Sequence, residues 1–197
     1  MSDQGFGIVR RVPPFRLTWI LTAGLLALGA PRLLAREQPR FAAHAGVAAA
    51  CAAATIWAPD AFLVYLENDE SLDDAGTSGR WGYLFFSPSL KQARGYSIRD
   101  GKVLTAEDLQ MSFEAPPVAS QWIDSGAALA AAEEGAGREF RRDHAGRLET
   151  MLLARGAFHD QDPDLTTWTV IYSAPHAPSL FVVVDAAEGK VRRTWRG

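Results

Sequence analysis

The segment Trp81-Gly-Tyr-Leu-Phe-Phe-Ser-Pro88 has a counterpart later in the chain, Trp168-Thr-Val-Ile-Tyr-Ser-Ala-Pro175, with the same spacing from tryptophan to proline. Downstream of each segment the chain repeats a second pattern, first as Gly101-Lys102-Val103 and then as Gly189-Lys190-Val191. Both pairs agree on an offset of 87 or 88 residues. A constant offset indicates a duplicated unit, so the two parts of the chain are expected to fold alike.

The first copy is predicted to be a helix followed by strands. An alanine-rich stretch, residues 42–54, has the composition of a helix, and Pro59 forces the chain to leave it. Apolar runs bounded by turn residues predict strands over residues 61–67, 81–87, 93–98 and from Lys102 to Leu104. Residues 105–109, Thr-Ala-Glu-Asp-Leu, have the form of a capped helical turn.

The second copy repeats this order. Ser125 is expected to cap a helix over residues 126–134, which Gly135 and Gly137 would end. The charged residues 139–146 are expected to form a further helical turn. Strands are then predicted over residues 148–153, 166–173, 180–185 and 191–195.

The predicted fold class is therefore α+β, with two tandem units that each pack an α-helix on a three- to four-stranded antiparallel sheet. The expected boundaries are a hydrophobic leader or anchor over residues 1–36, unit 1 over 37–104, a connector over 105–122 and unit 2 over 123–197. A unit of roughly 70 residues has a small core, so the two are expected to pack together.

The N-terminal segment has the pattern of an export signal. Three arginines, Arg10, Arg11 and Arg16, precede an apolar run from Leu17 to Ala30. The run is shorter than the ~20 apolar residues of a typical membrane span. Pro31 would hinder cleavage after Ala30, so a cleaved signal and an uncleaved membrane tether both stay open. Either one predicts an exported, periplasmic or membrane-anchored extracytoplasmic protein.

The stretch from Phe41 to Trp57 is also mostly apolar, and a hairpin of two membrane helices is the rival interpretation. His44 and the predominance of alanine, which adds little hydrophobic drive per residue, favour a packed soluble helix.

The charge balance argues against nucleic acid as a partner. The formal net charge is −3, but six arginines against Asp3 and Glu37 give residues 1–40 a charge of +4 and leave the remainder at −7. An acidic body is repelled by phosphates. The lone Cys51, set between alanines, cannot form an internal disulfide and is expected to be a small buried residue.

The second copy resembles the PepSY domain, a small bacterial module found mostly outside the cytoplasm. The resemblance lies in the alanine-rich helix of residues 127–134, the strand that Trp168 opens, and the ending Leu180-Phe-Val-Val-Val-Asp-Ala-Ala-Glu-Gly-Lys-Val191. The first copy looks like a degenerate version, because Ile98-Arg99-Asp100 replaces the Asp-Ala step.

The resemblance covers about three-quarters of the chain and implies a helix packed on an antiparallel sheet. It also implies binding or inhibition, since the family is linked to restraint of secreted peptidases. It provides no catalytic residues and no cofactor to carry over.

Four residues are candidate binding residues. Trp122 and Trp195 lie outside the repeated pattern, so they are candidates for an exposed aromatic surface that grips a peptide or glycan. Asp185 and Lys190 flank the last predicted turn and could contact a partner there, although an aspartate before a glycine turn is first of all a backbone cap.

Two acidic loops occupy the same place in the repeat, residues 69–74 and 159–164. Asp160, Asp162 and Asp164 alternate as in a calcium loop, but Leu165 stands where the sharp-turn glycine is needed, and Ile171 where the bidentate glutamate is needed. No metal site is predicted. His159 beside Asp160 is the one pair suggestive of acid–base chemistry.

The sequence therefore predicts a non-enzymatic, exported or membrane-tethered binding module for a protein or peptide, which binds or restrains a peptidase or another envelope protein. An envelope hydrolase that uses the His159 loop is one alternative, and a purely structural envelope protein is another. The chain has no His-Glu-x-x-His helix, no Gly-x-Ser-x-Gly elbow and no phosphate-binding glycine loop.

Overall fold

The repeated strand pattern builds a single sheet. The computed structural model describes residues 39–109, 115–157 and 163–197. Within them, eight antiparallel strands form one sheet in the order β4-β3-β2-β1-β5-β6-β7-β8. The elements are α1 (His44–Trp57), β1 (Phe62–Asn68), β2 (Trp81–Ser87), β3 (Gln92–Arg99), β4 (Lys102–Leu109), α2 (Ser125–Ala132), a π-helical turn (Glu133–Gly137), α3 (Arg138–His144), β5 (Arg147–Arg155), β6 (Thr166–Ala174), β7 (Ala177–Asp185) and β8 (Val191–Arg196).

The α+β class and the antiparallel strands are confirmed. Helix and then four strands occur twice in chain order, but β1 pairs with β5 and makes the sheet continuous, so the division into two units stays a prediction. That pairing is short, with Tyr65 opposite Ala154 and Glu67 opposite Leu152 at its ends. Beyond Glu67, a side chain replaces the backbone pairing, because Asn68 Oδ1 accepts a hydrogen bond from the Met151 N–H at 2.7 Å.

The helices pack on one face of the sheet, and the two repeated tryptophans lie in the core beneath them. Trp81 and Trp168 are fully buried, and their rings meet edge to face with centroids 6.2 Å apart. The Trp81 indole N–H donates to the Phe41 carbonyl at 2.9 Å, and that of Trp168 to the Ile123 carbonyl at 2.8 Å. Each tryptophan thus fixes the chain just before a helix.

The expected end of the second helix is wrong. Gly135 and Gly137 do not stop it, because the helical run continues through the π-helical turn into α3. The run ends at Ala145, whose φ is 50°. Gly137 serves close packing instead. A Cβ placed there would lie 2.3 Å from the Tyr172 hydroxyl oxygen.

The expected helical turn over residues 105–109 is also wrong, because these residues are the second half of β4. They pair with β3 from Ser97 opposite Thr105 to Ala93 opposite Leu109, beyond a bulge at residue 104. A local capping pattern cannot compete with ladder hydrogen bonds along five consecutive residues.

Two predicted hairpin turns are confirmed at matching places in the repeat. Gly101 between β3 and β4 has a φ of 68°, and Gly189 between β7 and β8 has a φ of 70°. Glycine adopts this left-handed conformation without the steric penalty of a side chain.

The predicted leader from Leu17 to Ala30 lies outside the described residues. In the part of the chain that the structure describes, no helix is both long enough and apolar enough to cross a membrane. Helix α1 buries Gly46, Ala50 and Ala54, as expected for a helix packed on a protein core.

Candidate binding groove

The face of β1–β4 opposite the helices carries a groove of about 470 Å³, within the size range of ligand pockets. Its lining comes from all four strands, from the side chains that alternate away from the helices. This surface is called the open-face groove below. Its main lining residues are Tyr65, Glu67, Gly82, Leu84, Gly95, Ser97, Thr105, Glu107 and Leu109.

Two glycines form the floor of the groove. Gly82 on β2 pairs with Ser97, and Gly95 on β3 pairs with Leu84, so the glycines lie diagonally on neighbouring strands. A Cβ added to Gly95 would meet nothing closer than the Glu107 carbonyl oxygen at 4.0 Å. Glycine inside a strand weakens it and often marks a place where another group approaches closely.

Tyr65 and Glu67 form one wall from the same face of β1. The Tyr65 hydroxyl donates to Glu67 Oε2 at 2.6 Å. Burial and then this hydrogen bond raise the pKa of the Tyr65 phenol. The phenol therefore stays protonated at physiological pH and orients the glutamate.

A network of charged groups closes the end of the groove beyond Ser97. The Ser97 hydroxyl donates to Asp69, and Arg80 Nε lies 3.6 Å from Asp69 Oδ2 and 3.9 Å from Glu70 Oε1. Arg99 forms an ion pair with Glu70 as well. Gly82 admits Asp69, because a Cβ there would lie 2.6 Å from Asp69 Oδ1.

The outer rim of the groove is the edge strand β4. All eight residues of β4 are exposed, including the apolar Val103, Leu104 and Leu109 at 40%, 52% and 36%. An edge strand presents backbone N–H and C=O groups that no neighbouring strand satisfies, and it is a template for another chain.

The lining of the groove combines polar and apolar groups. Its carboxylates and carbonyl oxygens accept hydrogen bonds, and Tyr65, Leu84 and Leu109 provide apolar contact. Among the described residues, no group of three or more histidine, cysteine or acidic side chains is arranged to hold a metal ion.

The two tryptophans predicted as binding residues contact different parts of the structure. Trp122 is half-buried on the helix side of the sheet, with its ring centroid 3.7 Å from that of His44 and 5.7 Å from that of Trp168. Trp195 is half-buried on β8 and stacks on Phe181 at 4.9 Å with an interplanar angle of 9°. Neither lines the open-face groove, and their binding role stays a prediction.

Asp185 and Lys190 lie at the last hairpin. Asp185 is only 2% exposed. Its Oδ1 accepts hydrogen bonds from the N–H groups of Ala187 and Glu188, and its Oδ2 forms an ion pair with Arg192 at 2.6 Å. Burial raises the pKa of Asp185, but these partners outweigh it and hold the pKa below its ordinary value. Lys190 pairs with Glu188 at 3.0 Å. The geometry of Asp185 is that of a structural cap.

Of the two acidic loops, the first is described and the second is described only in part. Asp73 caps its own turn by accepting the N–H groups of Ala75 and Thr77. Partial burial raises the pKa of Asp73, but the bonds from Thr77 and Ala75 hold it below its ordinary value. His159, Asp160 and Asp162 lie outside the described residues, so the acid–base and calcium interpretations of that loop stay untested.

Sequence reasoning missed the groove residues. Gly82 interrupts the apolar and aromatic strand β2, and Gly95 lies in the middle of β3; a glycine inside a strand is the signal that could have found the floor. The helical turn predicted over residues 105–109 does not place Glu107 on a strand, so the pattern gave no indication that it lines a groove.

No family model matches the chain, and no curated protein matches it. The crystal structure of a candidate lipoprotein from Clostridium difficile 630 is similar with a TM-score of 0.52 and 14% identity, over 75% of this chain and 90% of that one. The YpeB C-terminal domain from Bacillus megaterium gives a TM-score of 0.31 and 10% identity, over 78% and 64%. The first likeness shows a shared fold, and the second is too weak for any argument.

Proposed function

We propose that this chain is an exported or membrane-tethered bacterial protein that works without catalysis, by binding a protein or peptide. Its body would consist of two PepSY-like units, the first degenerate, joined in one sheet. The segment from Leu17 to Ala30 would direct export and either be removed or serve as a tether. A peptidase or another envelope protein is the expected class of partner.

The open-face groove carries this proposal. It lies on the sheet face opposite the helices, with a glycine floor and the exposed edge strand β4 as its rim. Its polar lining consists of carboxylates, hydroxyl groups and the guanidinium of Arg80, and it contains no histidine, cysteine or lysine among the described residues. Such a lining supports recognition of a ligand over its transformation.

Two further observations support the proposal. The fold is shared with a bacterial protein described as a candidate lipoprotein, which agrees with an envelope location. The first copy, which has diverged further from the PepSY pattern in sequence, is also the half that carries the groove. Loss of the family pattern there is consistent with a surface specialised for a particular partner.

Affinity capture with the full-length chain tests the proposal. The tagged protein is incubated with secreted and envelope proteins of a bacterial host, alongside a Gly95→Val variant that fills the floor of the groove. The matched control is Glu134→Gln, which changes an exposed residue on the helix side. We expect a discrete partner that the wild-type and control proteins retain and the Gly95→Val variant loses.

Equal capture by all three proteins would contradict the groove as the binding site. Capture of no partner, together with hydrolysis of a generic ester, peptide and glycoside panel, would favour the envelope hydrolase. Capture of no partner without hydrolysis would favour the structural envelope protein.

A further inference from the structure

We infer that the open-face groove and β4 together bind an extended, cationic segment of a protein partner, whose backbone adds to the sheet beside β4 while lysine or arginine side chains reach over the groove. This inference rests on the proposed function and specifies the chemistry of the partner. It joins three independent observations, namely a strand edge that no other strand of the described residues covers, the unequal charge of the lining and the open space above Gly95.

The edge gives the segment its conformation. Strand β4 is an end strand in the sheet order and is exposed along all eight residues. Its length exceeds that of an average strand, and an edge of this kind binds extended peptides through main-chain hydrogen bonds. The exposed Val103 and Leu104 would gain apolar contact from the partner.

The charges select a cationic partner. Glu67, Asp69 and Glu107 line the groove against the single guanidinium of Arg80, which already contacts Asp69. Among the described residues, neither Glu67 nor Glu107 has a lysine or arginine within ion-pair distance. A positively charged side chain of a strand beside β4 would pair with Glu107, and Glu67 and Asp69 further along the groove would add a negative potential that attracts it, whereas an acidic side chain would be repelled.

The empty floor gives the side chain its space. A strand added beside β4 would lie about 10 Å from β3, two strand spacings away, so only the charged end of a fully extended lysine or arginine side chain would come near β3. Such a side chain would pass Thr105 and Glu107, and its charged end would approach the space above Gly95, where a Cβ meets only one carbonyl oxygen, at 4.0 Å. Thr105 and Leu109, which line the groove from β4 itself, would contact its methylene groups.

Fluorescence anisotropy with three labelled decapeptides tests the inference on the full-length protein. The first alternates lysine and threonine, so that an extended chain presents every lysine on one face. The second alternates glutamate and threonine, and the third alternates lysine and proline. The third keeps the positive charge but disfavours strand pairing, because proline lacks the N–H group.

We expect the lysine–threonine peptide to bind at least about tenfold more tightly than either of the other two. Glu107→Gln should weaken its binding about threefold, as for one exposed ion pair, and Gly95→Val should weaken it about tenfold. The control Glu134→Gln should leave it unchanged. Hydrogen exchange of the β4 amides should slow when the peptide is bound.

Equal binding of the lysine–threonine and lysine–proline peptides would overturn strand addition, and unchanged β4 exchange would do the same. Equal binding of the glutamate peptide would overturn the charge argument. A natural partner that wild type captures, that Gly95→Val loses and that the lysine–threonine peptide does not displace would overturn this inference. It would leave the proposed function standing. A natural partner that the Gly95→Val variant captures as well as wild type does would overturn this inference and the groove as the binding site, whereas capture of no partner would overturn the proposed function.

Discussion

At the residue scale, the sequence predicted the roles that a local pattern encodes and missed those that depend on the opposite strand. Asp185 was expected as a backbone cap, and its carboxylate does accept two N–H groups of the following turn. Its ion pair with Arg192, seven residues on, depends on the hairpin that brings β8 back beside β7. The contact of Asp69 with Ser97 depends in the same way on a strand that lies distant in sequence.

Asp185 should make the stability of the protein depend on pH in acid. Because its folded-state pKa lies below the ordinary aspartate value, its stabilising effect is present above about pH 4 and is lost as the pH falls through the folded-state pKa. Asp185→Asn should lower the free energy of unfolding by about 1–3 kcal/mol at pH 7, and the difference from wild type should shrink below pH 4.

Urea unfolding at pH 7 and pH 3 measures this difference. The control is Asp143→Asn, an exposed carboxylate paired with Arg142, which should change the free energy of unfolding much less than Asp185→Asn does, because solvent screens an exposed pair. A difference for Asp185→Asn that stays constant with pH would show that the carboxylate's charge does not contribute.

At the scale of elements, strand positions were predictable and the helix end was not. Residues 81–87 are β2 as predicted, because an apolar and aromatic run ends at a proline. Glycine near the end of a helical pattern usually indicates a helix stop, and on that ground the sequence predicts an end at Gly135 and Gly137. Here Gly137 is kept inside a helical run by the Tyr172 hydroxyl packed against it, a tertiary contact that no local pattern encodes.

The two glycines of the π-helical turn should respond differently to the same substitution. Gly137→Ala should lower the free energy of unfolding by about 1–3 kcal/mol, because its Cβ would overlap the Tyr172 hydroxyl of a buried ring. Gly135→Ala is the matched control. Its Cβ would lie 3.2 Å from one exposed Val191 methyl group, so its effect should be within about 1 kcal/mol of zero.

Thermal and urea unfolding of both variants check this expectation. Equal losses for Gly135→Ala and Gly137→Ala would mean that the substitution acts through the helix backbone and that the Tyr172 contact is not responsible.

At the scale of the whole molecule, the duplication predicted the order of elements but not how the copies connect. That connection, the pairing of β1 with β5, is called the joint below. A helix followed by four strands occurs twice, as the repeated pattern indicated. The pairing of β1 with β5 joins residues almost 90 positions apart, and its register has no local signature. The groove was missed for a related reason, since its lining comes from four strands that meet only in the folded sheet.

Asn68 should be the main polar support of this joint. Its Oδ1 accepts the N–H of buried Met151, and its Nδ2 donates to the Glu149 carbonyl at 3.3 Å and to the Glu70 carbonyl at 3.0 Å. Asn68→Ala would leave the Met151 N–H without its partner, so the free energy of unfolding should fall by about 1–3 kcal/mol.

Asn68→Asp separates the two roles of this side chain, because it keeps an acceptor for Met151 and loses both donated bonds. Denaturant unfolding should rank the stabilities as wild type, then Asn68→Asp, then Asn68→Ala. Stability of Asn68→Ala equal to that of wild type would show that the three backbone-paired positions are sufficient to hold the joint.

Site-specific photo-cross-linking in living cells tests the central claim, that partners bind at the open-face groove. A photoreactive amino acid is placed at Thr105 on the groove rim, at Glu134 on the helix side, and at Trp122 and Trp195 in separate full-length variants. We expect a discrete heavier adduct from position 105 and none from position 134, 122 or 195. Adducts from position 122 or 195 with none from position 105 would contradict the groove and restore the two tryptophans as the binding surface.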